Sequence, residues 1–128
     1  RLQSGSDPER RGYNPWEAPM TDPTDEEKMF AMIAHVSGCA FSALGPLVIW
    51  LMKKDSSAFV AYHAIQAAIF HVIAITLFMV FSTITCGFGT LLLPVFWLPA
   101  LYWGWKAYQG SSEGYPGIAQ FGRTDQIP

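Results

Sequence analysis

The residues best suited to chemistry in this sequence are three histidines and one glutamine that lie within long apolar stretches. His35 lies in the first stretch, and His63, Gln66 and His71 lie in the second. An imidazole can bind a metal or cofactor, take part in proton transfer, or form a hydrogen bond that joins two helices. Polar groups in a membrane-spanning segment are costly and usually face the interior of a helix bundle. The histidines therefore admit three roles: helix packing, cofactor ligation, or a proton or ion path.

Helical spacing favours the packing role. At 100° per residue, the polar side chains of the second stretch fall on one broad face. The first stretch has a matching face of small and polar residues: His35, Gly38, Cys39, Ser42 and Pro46. Small residues let helices approach closely, and polar side chains can then form hydrogen bonds across the contact. The residues predicted to form this contact are His35, Gly38, Ser42, His63, Gln66 and Ala67.

The other two roles of the histidines stay open. His71 is the candidate ligand for a haem or a chlorophyll-type pigment, although small facing residues leave little room for a macrocycle. A proton or ion path would normally include an acidic residue within the membrane, and residues 56–105 contain none. The serines lack a nucleophile-elbow context, and the two cysteines fit no metal-site spacing. We therefore predict a protein without catalytic or metal-binding residues, with bound lipid rather than a cofactor.

The distribution of charge sets the fold class. Charged residues make up 14% of the chain, against about 25% in an average soluble domain. Residues 29–52 and 56–105 contain no Asp, Glu, Lys or Arg. A membrane span needs about 20 apolar residues, so the first stretch holds one span and the second holds two. The glycines at Gly87 and Gly89 would allow the chain to turn between those two.

We therefore predict an all-α integral membrane bundle of three transmembrane helices. Its transmembrane domain covers residues 25–108, with helices at about 25–53, 57–85 and 90–108. Helix one is expected to be kinked or broken at Gly45-Pro46, because proline removes a backbone donor and crowds the preceding turn. Thr24 and Glu27 match a capping box at its start.

Lysine positions give an orientation. The positive-inside rule places the loop at Lys53 and Lys54 on the cytoplasmic side, together with the C-terminus. Three full spans then place the N-terminus on the opposite side, whereas a re-entrant helix one would bring both termini to one side. We predict three full spans in a bacterial inner membrane.

Polar tails flank the apolar domain at residues 1–24 and 109–128. Both are rich in proline, glycine and polar residues, a composition typical of segments without a core of their own. A small helical protein offers little surface to order them, so we expect the tails to dock on partner subunits. Tyr13 and Trp16 would serve as aromatic anchors, and His71 is a third candidate partner contact.

Three motifs resemble a family of small bacterial membrane proteins of unknown function. They are MIAHVSG, GPLVIWLMKKDSSAFVAYHAIQAAIFHVI and WKAYQGSSEGYPGI, and together they cover about residues 25–118. This family is similar to the Tic-twenty-like proteins, relatives of a chloroplast envelope translocon component. The matching positions are His35, Pro46, Lys53, Lys54, His63, Gln66, Lys106, Ala107, Gly110, Tyr115 and Pro116. His71 departs from the pattern. The resemblance implies a helical membrane bundle and no enzymatic activity.

Together these observations predict a non-catalytic accessory subunit that stabilises a larger membrane complex, respiratory or photosynthetic. Its partners would be other membrane subunits and lipid. A nucleic-acid role is not expected, because the chain has no basic patch. The alternative is a Tic-twenty-like transport or protein-translocation component, in which His35, His63 and Gln66 would face a water-filled path.

Overall fold

The computed structural model describes residues 22–122, so the contacts expected of Tyr13 and Trp16 lie outside the described residues. This part of the chain is all-helical and contains no β-strand. Its elements are α1 (Asp25–Phe41), α2 (Leu44–Lys53), α3 (Ala58–Ile84), a 3-10 helix (Phe88–Leu92) and α4 (Leu93–Tyr108). The predicted helical class is confirmed, but four α-helices replace the expected three.

The start of α1 shows the predicted capping box. The Thr24 hydroxyl accepts a hydrogen bond from the backbone N–H of Glu27 at 3.2 Å. The Glu27 carboxylate in turn accepts from the backbone N–H of Thr24 at 2.8 Å. Two of the N–H groups that a helix start leaves without partners are thereby satisfied.

The first apolar stretch folds into two antiparallel helices, which we call the α1–α2 hairpin. Helix α1 ends at Phe41 and is followed by Ser42, whose φ of 52° lies in the left-handed region. Pro46 falls in the first turn of α2, where a missing N–H costs no helical hydrogen bond. The break therefore lies just before Gly45-Pro46 rather than at it.

An ion pair fixes the direction of α2. Lys53 at its end contacts the Glu26 carboxylate near the start of α1, with Nζ to Oε1 at 2.9 Å. Both ends of the hairpin thus lie on one side, and the predicted three-span bundle is not confirmed. A continuous helix would have separated these two residues by the length of a membrane span.

Within residues 22–122, two segments are long and apolar enough to cross a membrane, namely Ala58–Ile84 and Phe88–Tyr108. Only 17% of the apolar window of each is buried inside the described fold, which differs from the buried core helix of a soluble protein. Ser57 caps the first segment by accepting a hydrogen bond from the N–H of Val60. The turn between the segments uses Gly87, whose φ of 94° favours glycine.

One end of the bundle, which we call the charged end, gathers all the charged groups of residues 22–122. The Ser57 hydroxyl donates to the Glu27 carboxylate at 2.6 Å, joining the starts of α3 and α1. Gly110, just after α4, lies beside Lys28. The start of α1 and the Lys53-Lys54 loop therefore share a side, and the prediction that they lie on opposite sides of the membrane is not supported.

Small residues let α1 pack against both long helices. Ala31, Ala34 and Gly38 are buried along its length. Gly104 of α4 lies so close to α1 that a β-carbon there would be 3.2 Å from the His35 Cβ. This close approach of backbones is the packing mode typical of membrane helices. It brings the polar side chains of α1 and α3 together in the interior.

Candidate functional site

A hydrogen-bonded chain, which we call the histidine network, crosses the interior near the charged end. The Tyr115 hydroxyl lies 2.9 Å from His35 Nδ1. His35 Nε2 lies 3.2 Å from His63 Nδ1, and His63 Nε2 lies 2.8 Å from the Ser111 carbonyl oxygen. His35 and His63 are fully buried. The network therefore joins α1, α3 and the segment that follows α4.

The carbonyl at one end determines the proton positions in the network. A carbonyl only accepts, so His63 Nε2 carries the hydrogen. Burial of an uncompensated charge is costly, so we assign both rings as neutral. His63 Nδ1 then accepts from the His35 Nε2–H, and His35 Nδ1 accepts from the Tyr115 hydroxyl. Every ring nitrogen of these two histidines is satisfied in this single arrangement.

Residues 109–122, which we call the C-terminal segment, fold back onto α3. The Tyr62 hydroxyl donates to the Ala119 carbonyl at 2.8 Å. The Gln66 side-chain amide donates to the Ile118 carbonyl at 2.8 Å and also to that of Phe121. In the described residues this tail docks on its own chain, because α3 supplies donors for its carbonyls. The expected contact of the tails with partner subunits stays a prediction.

Tyr115 anchors the C-terminal segment among aromatic rings. Its ring stacks on Phe70 with centroids 4.3 Å apart and on Trp103 with centroids 5.1 Å apart. Burial raises the pKa of the Tyr115 hydroxyl, and the nearby Cys39 adds to this effect. The hydroxyl therefore remains a proton donor to His35 over the physiological pH range.

Gly114 provides the space that this arrangement needs. A β-carbon at this position would clash with the Tyr62 hydroxyl and would lie 2.7 Å from the Gln66 side-chain oxygen. Real β-carbons essentially never approach other atoms so closely. Only glycine therefore lets the C-terminal segment pass over these two side chains without a shift.

His71 lies apart from the histidine network, deeper along α3. Its Nδ1 donates to the Ala67 carbonyl at 2.8 Å, and its Nε2 has no hydrogen-bond partner among the described residues. The ring packs directly against Gly38 of α1. Beside it lies a cavity of about 210 Å³, which is smaller than the roughly 300–1,000 Å³ of typical sites for drug-sized ligands.

The structure places the predicted packing residues in several different roles. His35 and His63 meet directly, and Gly38 meets His71. Gln66 instead reaches the C-terminal segment, and Ser42 lies at the turn of the hairpin. Ala67 is buried and offers its carbonyl to His71.

Sequence reasoning missed Tyr62 and Tyr115 as partners of the polar face. Tyr115 lies in the last of the three motifs, whose pattern does not indicate a hydrogen-bond partner for it. The Ser111 carbonyl could not have been found, because a backbone carbonyl has no sequence signature.

Ion pairs cover the charged end. All four lysines of the chain pair with carboxylates: Lys28 with Asp25, Lys53 with Glu26, Lys54 with Asp55 and Lys106 with Glu113. Within residues 22–122 no group of three or more His, Cys, Asp or Glu side chains could hold a metal ion.

Glu27 is the acidic group of this end with the most hydrogen bonds. Partial burial raises the pKa of Glu27, but hydrogen bonds from Ser57 and Thr24, together with the charge of Lys53, outweigh burial and lower it below the ordinary value. Glu27 therefore stays ionised and holds the start of α1 against the start of α3.

A family model described as "Magnetosome magnetite crystal formation protein family" (MamF/MmsF) matches residues 26–121 of the chain. This range runs from the first turn of α1 to the C-terminal segment and includes the whole histidine network. No curated protein and no solved structure matches.

The family match contradicts the predicted resemblance and leaves the predicted host complex and the transport alternative without support. The resemblance to Tic-twenty-like proteins is wrong, because the matching family is a different one. The predictions of a respiratory or photosynthetic host complex, and of a transport or translocation component, find no support in this match. The family description names no catalytic activity.

Proposed function

Because the chain belongs to the magnetosome magnetite crystal formation protein family, we propose that it is a non-catalytic accessory protein of the magnetosome membrane that supports magnetite crystal formation. The observation that carries this proposal is the extent of the family match, which includes both apolar spans and the C-terminal segment. The helices and their polar interior thus belong to the part that defines the family.

The chemistry of the interior supports a non-catalytic role. Each ring nitrogen of His35 and His63 is already used in a hydrogen bond within the network. A general base or a metal ligand needs a free lone pair that a substrate or ion can reach. These two histidines offer none without breaking the contacts between α1, α3 and the C-terminal segment. Their arrangement therefore supports a structural function.

The charged end supports a role in contacts outside the membrane. It presents four surface ion pairs and keeps its shape through the capping of α1 and the attachment of the C-terminal segment. Surface ion pairs contribute little to stability, about 0–1 kcal/mol each. They are consequently available to exchange partners when another protein approaches. We infer that the partners are other proteins of the magnetosome membrane.

Deletion of the gene in its magnetite-forming host tests this proposal. We expect electron microscopy to show crystals of altered size or number, restored when the wild-type gene is returned. The protein itself should be found in purified magnetosome membranes. Unchanged crystal size and number in cells that lack the protein would refute the role in crystal formation. Absence from the magnetosome fraction would refute the proposed location.

A further inference from the structure

The α1–α2 hairpin ends well short of the far end of α3. Helix α3 has 27 residues and is therefore about 40 Å long at 1.5 Å per residue. Gly38, one turn before the end of α1, packs on His71, which is the middle residue of α3. Ser42 at the turn of the hairpin shares a cavity with Ala74. The hairpin thus ends about one turn beyond the centre of the long helix.

The surface of the hairpin is apolar at its turn and along its outer side. Phe41 and Leu44, on either side of the turn, are 66% and 71% exposed. Leu51 and Met52, close to the charged end, are 61% and 62% exposed. Such side chains are stable in hydrocarbon and costly in water. With both of its ends held at the charged end, the hairpin enters the bilayer from one side and does not cross it.

The far half of the bundle is narrower. Among the described residues it contains only the second half of α3, the 3-10 helix and the first half of α4. No charged residue occurs there, and Ile84, Phe88 and Leu91 are each more than 70% exposed. This half is therefore also suited to the hydrocarbon core and to the membrane boundary opposite the charged end.

The two leaflets consequently hold different cross-sections of protein. A helix of about 10 Å diameter occupies roughly 80 Å² in the membrane plane. Four helices at the charged end occupy roughly 320 Å², and two at the far end occupy roughly 160 Å². The C-terminal segment, attached through Tyr62, His63 and Gln66, widens the charged end further. The folded chain is a wedge.

We propose that this chain favours curved bilayers, with the charged end in the convex leaflet. A wedge relieves packing stress where the leaflet holding its wide end is stretched, and it adds stress where that leaflet is compressed. Insertion of apolar groups into one leaflet is the general basis of curvature-sensitive membrane binding. The bilayer bulges towards the side on which the Lys53-Lys54 loop lies. This property concerns lipid and does not depend on the proposed role in crystal formation.

Orientation in vesicles of different size tests the proposal. The full chain is reconstituted into preformed phosphatidylcholine–phosphatidylglycerol vesicles of about 30 nm and about 400 nm diameter. All four lysines lie at the charged end, so labelling by a membrane-impermeant amine reagent, read at the lysines by mass spectrometry, reports the fraction of chains whose charged end faces outwards. We expect a severalfold higher outward-to-inward ratio in the small vesicles. An equal ratio at both sizes, or a lower one in small vesicles, would overturn the proposal.

A pair of matched variants links the effect to the hairpin. Leu44→Asp places a charge at the turn of the hairpin, and Leu91→Asp places one at the far end, where exposure is similar. We expect Leu44→Asp to lose the size dependence and Leu91→Asp to keep it. If a Leu44→Asp protein that is still helical kept the full difference in outward-to-inward ratio between small and large vesicles, the hairpin would be excluded as the cause of the curvature preference. Should this variant fail to fold, the wild-type comparison alone decides.

Discussion

Replacing Tyr115 with phenylalanine isolates one hydrogen bond of the histidine network. The change removes only the hydroxyl and keeps the ring that stacks on Phe70 and Trp103. His35 Nδ1, which accepts from this hydroxyl at 2.9 Å, then has no donor in a fully buried position. A buried polar group without its partner costs about 1–3 kcal/mol. Hydrogen bonds inside membrane proteins contribute about 0.6–2 kcal/mol, which points to the lower half of that range.

We therefore expect Tyr115→Phe to lower the free energy of unfolding by about 1–2 kcal/mol. The measurement is titration of the detergent-solubilised protein with sodium dodecyl sulfate, followed by helix content. Tyr102→Phe is the matched control, since Tyr102 is half exposed and no hydrogen bond of its hydroxyl is seen in the described residues. Its effect should stay within about 0.5 kcal/mol.

A double-mutant cycle shows whether the cost arises at His35. In a His35→Leu background the Tyr115 hydroxyl has lost its acceptor, so Tyr115→Phe should cost nothing further. The two changes would then be non-additive by about 1 kcal/mol or more, as expected for residues in direct contact. Equal costs of Tyr115→Phe with and without His35, or equal costs of Tyr115→Phe and Tyr102→Phe, would refute the assigned network.

Three further predictions follow from neighbouring contacts. His63→Leu should lower the free energy of unfolding by about 2–4 kcal/mol in the same titration, because it leaves the buried His35 Nε2–H and the partly buried Ser111 carbonyl without their partner. His71→Leu should cost less than about 1 kcal/mol, because it removes one hydrogen bond within α3 and a nitrogen that has no partner among the described residues. Gly114→Ala should displace the C-terminal segment from Tyr62, and faster cleavage by a protease of broad specificity would show this; an unchanged digestion rate would contradict it. Because folding lowers the pKa of Glu27, its ionised carboxylate stabilises the fold at pH values above 4.5, the ordinary pKa of the group. This stabilisation is lost as the pH falls through the lower pKa of the folded state. Glu27→Gln should therefore reduce the dependence of the free energy of unfolding on pH below pH 4.5.

Local signals in the sequence predicted the features that depend on local chemistry. The capping box at Thr24 and Glu27 needs only residues three apart, and the long uncharged stretch of α3 is visible from composition. The contact between His35 and His63 followed from helical spacing, because two polar faces in neighbouring helices tend to meet in the interior.

The α1–α2 hairpin escaped prediction because its cause is not local. Residues 25–53 are long enough for one span, and the proline rule indicated a kink within it. A proline is equally acceptable in the first turn of a new helix, and sequence alone does not separate these two cases. The pairing of Lys53 with Glu26 across the reversal decides for the hairpin, and it is a long-range contact.

The C-terminal segment explains why an apolar helix such as α3 carries a polar face. This segment is irregular, so its carbonyl groups have no helical partners, and near the hydrocarbon little water is present to satisfy them. The side chains of three α3 residues donate to carbonyls of the segment, namely those of Tyr62, His63 and Gln66. These polar side chains would be costly to bury in an isolated span, but here they satisfy backbone carbonyls of the C-terminal segment that would otherwise be costly to bury. It follows that removing a donor should release the C-terminal segment first, before α3 itself loses helical structure. His71 makes no such donation to the segment, which is why its substitution should leave the segment in place.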